Sequence, residues 1–549
     1  MSIHTVGDLV AEFLEACRLD TLFGMVSVHN LPVLDAVARR GYSRFISARG
    51  EMGGGHMADG YARATGRLGV LVTSTGPGAA SACPALVEAE FAGTPLLHIT
   101  GQSLTPWIGS QKGALHDVKD QAGMLGAVCK ATFRIHSPAE ALGVLTKAAV
   151  TALSPRQGPV SVEIPFDVQR MEAPCLDPAS FSLPLPALRI LPEAEFETLV
   201  QTVLHARQPV IWVGSGARDA TAAVKELADL GFAVVNSLSA QGLLPGDHPM
   251  NLGSLNGSRE PNLDAFYDQC DLMIVAGARL RLNETRDGAS RLPANRVQID
   301  IDVAAQGRTY GCSQFACADV NDTLTRLAAR LRANAYVAAP DFAQLVADVR
   351  QTSQEALRTS LGPYADFPRQ MRAAMPDRTV WVRDATLSNG SWGNRLFPLS
   401  SPRDGMFPIG AGIGPGLPLG IGAALGVNSE GRKVVMMAGD GGFAVNLTEL
   451  WVATQEQADM VIVVMNDSSY GVIRHIQNLS YGGRNPYTAL QQPDYEGLAR
   501  LAHMPFWRVS RADDLEASMR EALAVDGPAF VEVNMRAIGD FPSYIVPQK

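Results

Sequence analysis

The chain has 549 residues, a mass of 58.5 kDa and a formal charge of −9 at pH 7. Its content of 46% hydrophobic and 18% charged residues supports several buried cores and excludes a disordered chain. At about 150 residues per domain, this length predicts three or four domains. A sequence pI near 5.6 and the lack of a basic run argue against nucleic-acid binding, which needs clustered Lys and Arg.

The N-terminal segment lacks a basic region followed by an apolar core, so we expect no signal peptide. No apolar run reaches about 18 residues, and we therefore expect no membrane span and a cytoplasmic location. The seven cysteines are scattered along the chain, which favours reduced, buried thiols over a disulfide framework or a zinc site.

Short apolar runs alternate with longer amphipathic stretches throughout the chain. This rhythm predicts an α/β fold in which helices cover parallel sheets. In chain order, the clearest runs span residues 44–48, 68–74, 95–100, 209–216, 271–277, 296–302, 433–440 and 459–466.

Two segments interrupt this alternation. Residues 172–194 contain five prolines, which is typical of an extended linker. Residues 330–370 are polar and helical in pattern until they reach Pro363 and Pro368. The interruptions predict domain boundaries near residues 185 and 345, and hence three α/β domains.

An acidic residue follows the first of these runs. Glu51 lies at the carboxyl end of the predicted strand, and Gly53–Gly55 follow it in the first turn of a predicted helix. Each glycine destabilises a helix by about 1 kcal/mol relative to Ala, so another group is expected to pack closely against this backbone. From residue type alone, Glu51 is a helix-start carboxylate that interacts with the helix dipole.

Acidic residues also end two successive runs near the C-terminus. Asp440 precedes Gly441 and Gly442, whereas Asn466 and Asp467 end the next run. The separation fits one strand–helix–strand return, so these side chains are expected side by side at the carboxyl edge of a parallel sheet. Such oxygen ligands suit Mg²⁺ shared with phosphate oxygens, and the glycines let a phosphate approach backbone N–H groups.

These motifs resemble those of thiamine-diphosphate-dependent decarboxylases and acetolactate synthases. The resemblance rests on residues 439–441 with 466–467, on residues 51–63 and on the loop of residues 74–78. It implies three domains with parallel sheets flanked by helices. These are a pyrimidine-binding domain (1–185), a central Rossmann-like domain (186–345) and a diphosphate-binding domain (346–549).

The resemblance implies a metal site. In the family, the ligands are the motif Asp, an Asn after the next strand and a main-chain carbonyl two residues later. Carried over, they are Asp440, Asp467 and the carbonyl of Ser469, with Mg²⁺ as the metal. Because the usual Asn is an Asp at position 467, Asn466 stays an alternative ligand.

The resemblance also implies which residues hold thiamine diphosphate. Glu51 is expected to hydrogen-bond the pyrimidine ring, a task that favours a desolvated carboxyl. Residues 410–418 resemble the segment in which a bulky apolar residue, here Ile413, wedges between the two rings and the Ala411 carbonyl faces the exocyclic amine. The other expected cofactor contacts are Pro77, Leu387, Ser388, Asn389, Gly441, Gly442, Tyr470 and Gly471.

The implied reaction is non-oxidative decarboxylation of a 2-oxo acid, followed by protonation of the acyl unit or its ligation to an aldehyde or ketone. His29 and His116 occupy positions where related enzymes carry His or Gln, and both are candidates for proton transfer at neutral pH. Acetolactate synthase itself is the alternative reaction.

In the family, the regions of Glu51 and Asp440 meet across a subunit interface, which implies a homodimer or homotetramer with shared active sites. A Gly-x-Gly at residues 214–216 leaves a flavin- or nucleotide-binding Rossmann protein without thiamine chemistry as an alternative of another class. Acetolactate synthases bind FAD in this domain. Residues 277–288 resemble their flavin-contacting stretch only loosely, so we expect no FAD.

Overall fold

The computed structural model describes residues 4–255 and 261–541. They form three six-stranded sheets, and every strand pairing is parallel. Helices flank each sheet, which confirms the predicted α/β fold with three parallel-sheet domains. No helix in the described part of the chain combines the length and apolarity that a membrane span requires.

The first sheet has the strand order β2-β1-β3-β4-β6-β5. Its strands are β1 (Thr21–Gly24), β2 (Arg44–Ser47), β3 (Gly69–Thr73), β4 (Leu96–Gln102), β5 (Ala131–Arg134) and β6 (Pro159–Pro165). Its helices are α1 (Val6–Ala16), α2 (Leu31–Arg40), α3 (Glu51–Thr65), α4 (Pro77–Ala92), α5 (Gln121–Gly126), α6 (Ala141–Leu153) and α7 (Phe166–Gln169).

The second sheet has the order β12-β11-β10-β7-β8-β9. Its strands are β7 (Pro209–Val213), β8 (Ala233–Asn236), β9 (Asn251–Gly253), β10 (Leu272–Ala276), β11 (Arg296–Asp300) and β12 (Gln314–Cys317). The helices are α8 (Glu193–Leu204), α9 (Thr221–Asp229), α10 (Pro261–Tyr267), α11 (Val320–Ala333) and α12 (Phe342–Thr359). The predicted boundary near 345 falls within α12, whose Phe342 and Val346 pack in the central core.

The third sheet has the order β14-β13-β15-β16-β18-β17. Its strands are β13 (Val380–Arg383), β14 (Gly405–Met406), β15 (Val434–Gly439), β16 (Met460–Asn466), β17 (Phe506–Val509) and β18 (Ala529–Asn534). The helices are α13 (Phe367–Ala374), α14 (Gly416–Val427), α15 (Asp440–Val445), α16 (Leu450–Gln455), α17 (Gly471–Ser480), α18 (Tyr495–Leu501), α19 (Leu515–Leu523) and α20 (Met535–Ile538).

Helices α3 and α14 join the first and third domains in one continuous core. Their contact depends on glycine, because a Cβ on Gly60 would lie 2.1 Å from the Leu419 carbonyl oxygen. On the other helix, a Cβ on Gly422 would lie 1.9 Å from the Met57 carbonyl oxygen. The two backbones therefore touch, and this contact fixes the first domain against the third.

The cysteines are free thiols. Cys270 is buried and Cys175 is exposed, whereas the other five are partly buried. The expectation of buried thiols therefore holds only in part, because Cys175 lies in the extended segment between the first two domains.

Candidate active site

Three predicted residues lie at the carboxyl edge of the first sheet. His29 follows β1, Glu51 begins α3 directly after β2, and Pro77 begins α4 after β3. Glu51 is half-buried, and a Cβ on Gly78 would lie 2.5 Å from its Oε1. The glycine at the start of α4 therefore admits the Glu51 carboxylate.

The two candidate histidines lie together at this edge. The ring centroids of His29 and His116 are 5.2 Å apart. The Nδ1 of His116 lies 3.2 Å from Ser74 Oγ, which is 2.6 Å from Ser27 Oγ. Burial, together with the nearby His116, holds the pKa of His29 below its usual range. The two rings therefore form one cluster of proton-carrying side chains at this edge of the sheet.

Asp440 and Asp467 meet at the carboxyl edge of the third sheet, as β15 pairs with β16. Asp440 is 1% exposed, and its Oδ2 accepts a 2.5 Å hydrogen bond from Gln492. Burial and the adjacent Asp467 raise the pKa of Asp440 to about 7, and burial also raises the pKa of Asp467. Two facing carboxylates that resist ionisation form a donor set that a divalent cation would relieve.

Ser469 and Arg474 complete the surroundings of Asp467. The backbone N–H and hydroxyl of Ser469 donate to Asp467 at 3.1 and 3.0 Å. Arg474 Nη2 lies 3.3 Å from Asp467 Oδ2 and 3.5 Å from Asp540 Oδ1. These contacts fix the Asp467 carboxylate toward Asp440.

Asn466 points away from this pair. Its Nδ2 donates to Glu532 at 2.8 Å, and its Oδ1 accepts from the Ser468 backbone at 3.1 Å. Because both ends of its amide are engaged in this way, Asn466 does not face Asp440.

The loop after β13 carries the predicted diphosphate contacts. Ser388 Oγ and Asn389 Oδ1 are buried and have no hydrogen-bond partner among the described residues. Leu387 packs beside Gly471, where an added Cβ would lie 3.0 Å from Leu387 Cδ1 and 2.4 Å from Asp467 Oδ2. The Ser388 hydroxyl can donate a hydrogen bond to a phosphate oxygen, whereas Asn389 Oδ1 needs a donor such as an N–H group.

Glycines also line the start of α15. A Cβ on Gly441 would lie 2.7 Å from the ring of Tyr470. A Cβ on Gly442 would lie 3.3 Å from Ile413 Cγ1. The predicted residues of the loops after β13, β15 and β16 therefore converge in one place.

The predicted glycine-rich loop has an unusual backbone. Ala411 has φ +60° and Gly414 has φ +106°. Ile413 is 44% exposed although it is large and apolar. Strain at a non-glycine residue and an exposed apolar side chain are typical of a ligand-contacting segment.

Asp384 holds this loop, and the sequence reasoning missed it. It is fully buried and accepts hydrogen bonds from the N–H groups of Gly414 at 3.0 Å and Gly416 at 2.8 Å. Burial raises its pKa to about 6. The available signal was its position directly after a strand, the same signal that identified Asp440. Gln492 gave no such signal.

The candidate residues form two half-sites in separate domains. The half-site of the first domain contains Glu51, His29 and His116. The half-site of the third domain contains Asp440, Asp467 and Ile413.

A separate cavity of about 370 Å³ lies at the carboxyl ends of β7 and β10. The sheet order reverses between these strands, which is where such sheets bind ligands. Six arginines line it: Arg63, Arg156, Arg218, Arg279, Arg308 and Arg403.

Family models match all three domains. The N-terminal thiamine pyrophosphate (TPP) binding domain of thiamine pyrophosphate enzymes matches residues 4–124. The central domain matches 196–327, and the C-terminal TPP binding domain matches 388–533. Thiamine pyrophosphate is thiamine diphosphate under another name.

Several proteins resemble the chain along nearly its full length. An acetolactate synthase isozyme 1 large subunit from Escherichia coli is 29% identical and covers 97% of this chain and 94% of that protein. A probable 2-ketoarginine decarboxylase from Pseudomonas aeruginosa is also 29% identical, with 96% and 94% covered. Acetolactate synthase isozyme 2 of E. coli is 30% identical, with the same coverage.

A solved structure shares the fold. The thiamine diphosphate-dependent 4-hydroxybenzoylformate decarboxylase of Rhodococcus jostii superposes with a TM-score of 0.81 at 24% identity. The match covers 96% of this chain and 98% of the other. From the three matched domains, the chain belongs to the thiamine-diphosphate-dependent enzymes, in the group of acetolactate synthases and decarboxylases.

Proposed function

We propose that this enzyme uses Mg²⁺ and thiamine diphosphate to decarboxylate a 2-oxo acid without oxidation. The acyl unit is then protonated or joined to an aldehyde or ketone. The observation that carries the proposal is the pair of half-sites, with Glu51 after β2 and Asp440 facing Asp467 after β15 and β16. A relative named 2-ketoarginine decarboxylase supports a 2-oxo acid as the substrate.

The proposed Mg²⁺ ligands are Asp440, Asp467 and the main-chain carbonyl of Ser469. Their support is the facing carboxylate pair with raised pKa values, which a divalent cation neutralises. Asn466 is the less favoured alternative, because its amide is engaged by Glu532.

The diphosphate is proposed to meet the loop after β13 and the starts of α15 and α17. The unpartnered Ser388 hydroxyl, which can donate to a phosphate oxygen, and the glycine backbone nearby support this placement. The residues that would contact it are Leu387, Ser388, Asn389, Gly441, Gly442, Tyr470 and Gly471.

When bound, thiamine diphosphate supplies a carbon nucleophile. Glu51 is proposed to hold a proton at the pyrimidine ring, with Pro77 beside it. The Ala411 carbonyl and the Ile413 side chain orient the two rings. His29 and His116 are proposed to accept and return protons at their ring nitrogens, and the lowered pKa of His29 favours its neutral form.

The two half-sites are proposed to meet between chains, in a homodimer or homotetramer with shared active sites. Ile413, 44% exposed in the single chain, supports this arrangement because a partner would cover it. The cytoplasmic location and the boundaries near residues 185 and 345 stay predictions.

The test has two steps. Purified protein is loaded with thiamine diphosphate and Mg²⁺, and the cofactor retained after gel filtration is measured. A panel of 2-oxo acids is then supplied with and without an aldehyde, while CO₂, aldehyde and acyloin are quantified. Cofactor-dependent CO₂ release supports the proposal, and retention of cofactor without CO₂ release from any 2-oxo acid contradicts it.

The same panel separates the alternative reaction. Acetolactate formed from pyruvate as the main product would favour acetolactate synthase. The expectation of no FAD is checked by absorbance, since a flavin would give a band at about 450 nm in the purified protein.

A further inference from the structure

A buried glutamate of the first domain holds the base of the glycine-rich loop of the third domain. Glu88, on α4, is 3% exposed. Its Oε1 accepts the Ile409 N–H at 2.6 Å, and its Oε2 accepts the Gly410 N–H at 2.8 Å. These two amides directly precede Ala411, so Glu88 fixes the backbone from which the loop departs.

A buried arginine balances the charge of Glu88. Arg63 Nη2 lies 2.8 Å from Glu88 Oε1 and 2.6 Å from Asp59 Oδ2. Arg63 Nη1 also donates to the Phe407 carbonyl at 2.8 Å. Burial raises the pKa of Glu88, and Arg63 opposes that rise. The cluster of Arg63, Glu88 and Asp59 therefore ties the start of the glycine-rich loop to the first domain. It does so at the Phe407 carbonyl as well as at the two N–H groups that Glu88 binds.

A glutamate of the third domain makes the reverse contact. Glu449 is 1% exposed, and its Oε1 and Oε2 accept the Arg49 N–H at 3.2 and 3.1 Å. Arg49 lies two residues before Glu51. A Cβ on Gly53 would lie 2.1 Å from Glu449 Oε1, so this glycine admits the carboxylate. Glu449 is therefore a group that packs closely against the glycine-rich start of α3, as the sequence led us to expect.

We propose that Glu88 and Glu449 form a reciprocal clamp. Each is a positioning residue of one cofactor-binding domain that holds, through backbone N–H groups, the cofactor-facing segment of the other domain. The cofactor contacts of these segments rest on the proposed function, but the clamp contacts themselves do not.

Charge is expected to matter in both halves of the clamp. A carboxylate offers only acceptors to the backbone N–H groups, whereas a carboxamide offers one acceptor oxygen and an NH₂ group that competes with them. The variants Glu88→Gln and Glu449→Gln keep the side-chain shape and remove the charge. Glu90→Gln is the matched control, because Glu90 lies on the same helix, is 29% exposed and pairs with Arg156 instead.

The first readout needs no cofactor. Hydrogen–deuterium exchange of the cofactor-free protein is followed at Ile409 and Gly410 in Glu88→Gln, and at Arg49 in Glu449→Gln. Exchange at the released amides is expected to rise about tenfold or more, with no change at these amides in Glu90→Gln. Wild-type protection at these amides in both variants would overturn the clamp.

The second readout is the exchange of the C2 hydrogen of bound thiamine diphosphate, followed by NMR. Both Gln variants are expected to exchange it about tenfold more slowly than wild type, because misplaced segments orient the cofactor poorly. Unchanged C2 exchange in both variants would contradict the positioning role. If the wild type binds no cofactor, the proposed function fails, and amide exchange still decides the clamp.

The variants Glu88→Asp and Glu449→Asp guard against a Gln variant that does not fold. These variants keep the charge and shorten the side chain by one methylene. Their amide exchange rates are therefore expected to lie between those of the wild type and those of the Gln variants. Should the Gln variants not fold, wild-type protection of the same amides in both Asp variants overturns the clamp.

Discussion

The carboxylates of Asp440 and Asp467 lie within hydrogen-bonding reach of each other at the ends of two adjacent parallel strands. The third sheet brings them together because β15 and β16 end at the same edge. Such a pair is unfavourable without a cation, since each carboxylate is buried and repels the other. The pair is therefore a source of instability in the protein as described, and a bound divalent cation would relieve it.

The choice between Asp467 and Asn466 gives a direct prediction. Asp467→Ala is expected to weaken Mg²⁺ binding about tenfold or more, because it removes a ligand oxygen. Asn466→Ala serves as the matched control and is expected to retain Mg²⁺, because its amide bonds Glu532. Titration of both variants with Mg²⁺ in the presence of thiamine diphosphate checks this. The reverse pattern would make Asn466 the ligand.

The metal-free protein is expected to lose stability as pH rises. Asp440 has an ordinary pKa of 3.8 and a folded-state pKa of about 7, so between these values the folded protein binds more protons than the unfolded chain. Stability from this group therefore falls across that window. Melting temperatures of wild type and Asp440→Asn at about pH 5 and about pH 7 test it, with the variant showing the smaller decrease.

Saturating Mg²⁺ with thiamine diphosphate is the control for this pH effect. The cation replaces the proton, so the decrease in melting temperature of the wild type is expected to shrink. Equal pH slopes for wild type and variant without metal would show that Asp440 is ionised there at neutral pH.

The proximity of His29 and His116 predicts that a substitution of His116 changes the pKa of His29. Burial is the main cause of the lowered pKa of His29, and the nearby His116 lowers it further, so His116→Gln removes the second cause. The pKa of His29, measured by NMR of its ring protons, is therefore expected to rise toward its usual value. His136→Gln, which changes an exposed histidine outside the pair, is the control and leaves the titration of His29 unchanged. A fall, or no change, in His116→Gln would refute the coupling.

The contact between α3 and α14 predicts that replacing two helical glycines by alanine has opposite effects on stability. Gly60→Ala places a methyl group 2.1 Å from the Leu419 carbonyl oxygen and is expected to destabilise the protein by about 1–3 kcal/mol. Gly143 lies exposed in α6 with no atom within 4 Å of an added Cβ. Gly143→Ala is expected to raise the melting temperature, as alanine favours helix. Similar melting temperatures would argue against the close contact of α3 with α14.

Much of the fold followed from local pattern. The alternation of apolar runs and amphipathic stretches predicted parallel sheets, because strands buried on both faces have no polar face. Asp440, Asp467 and Glu51 could be placed at sheet edges because each directly follows a run.

The supporting residues could not be predicted in this way. Glu88 meets Ile409, and Asp384 meets Gly414, across long stretches of sequence. A buried carboxylate that binds backbone N–H groups leaves no periodic signal, since its partners are peptide groups that every residue carries. Gln492 lies in a segment without regular structure and donates a hydrogen bond to Asp440. This contact also joins residues that are distant in sequence, so no local pattern predicts it.

The most direct test of the account mixes two inactive variants, Glu51→Gln and Asp440→Asn, by coexpression. CO₂ release is measured on the 2-oxo acid that the wild type uses fastest, with thiamine diphosphate and Mg²⁺ present. Each variant alone is expected to be inactive. Hybrid dimers regain one intact shared site, so the mixture is expected to recover about a quarter of wild-type activity. An active single variant, or a mixture with no recovery, would contradict the shared thiamine-diphosphate site.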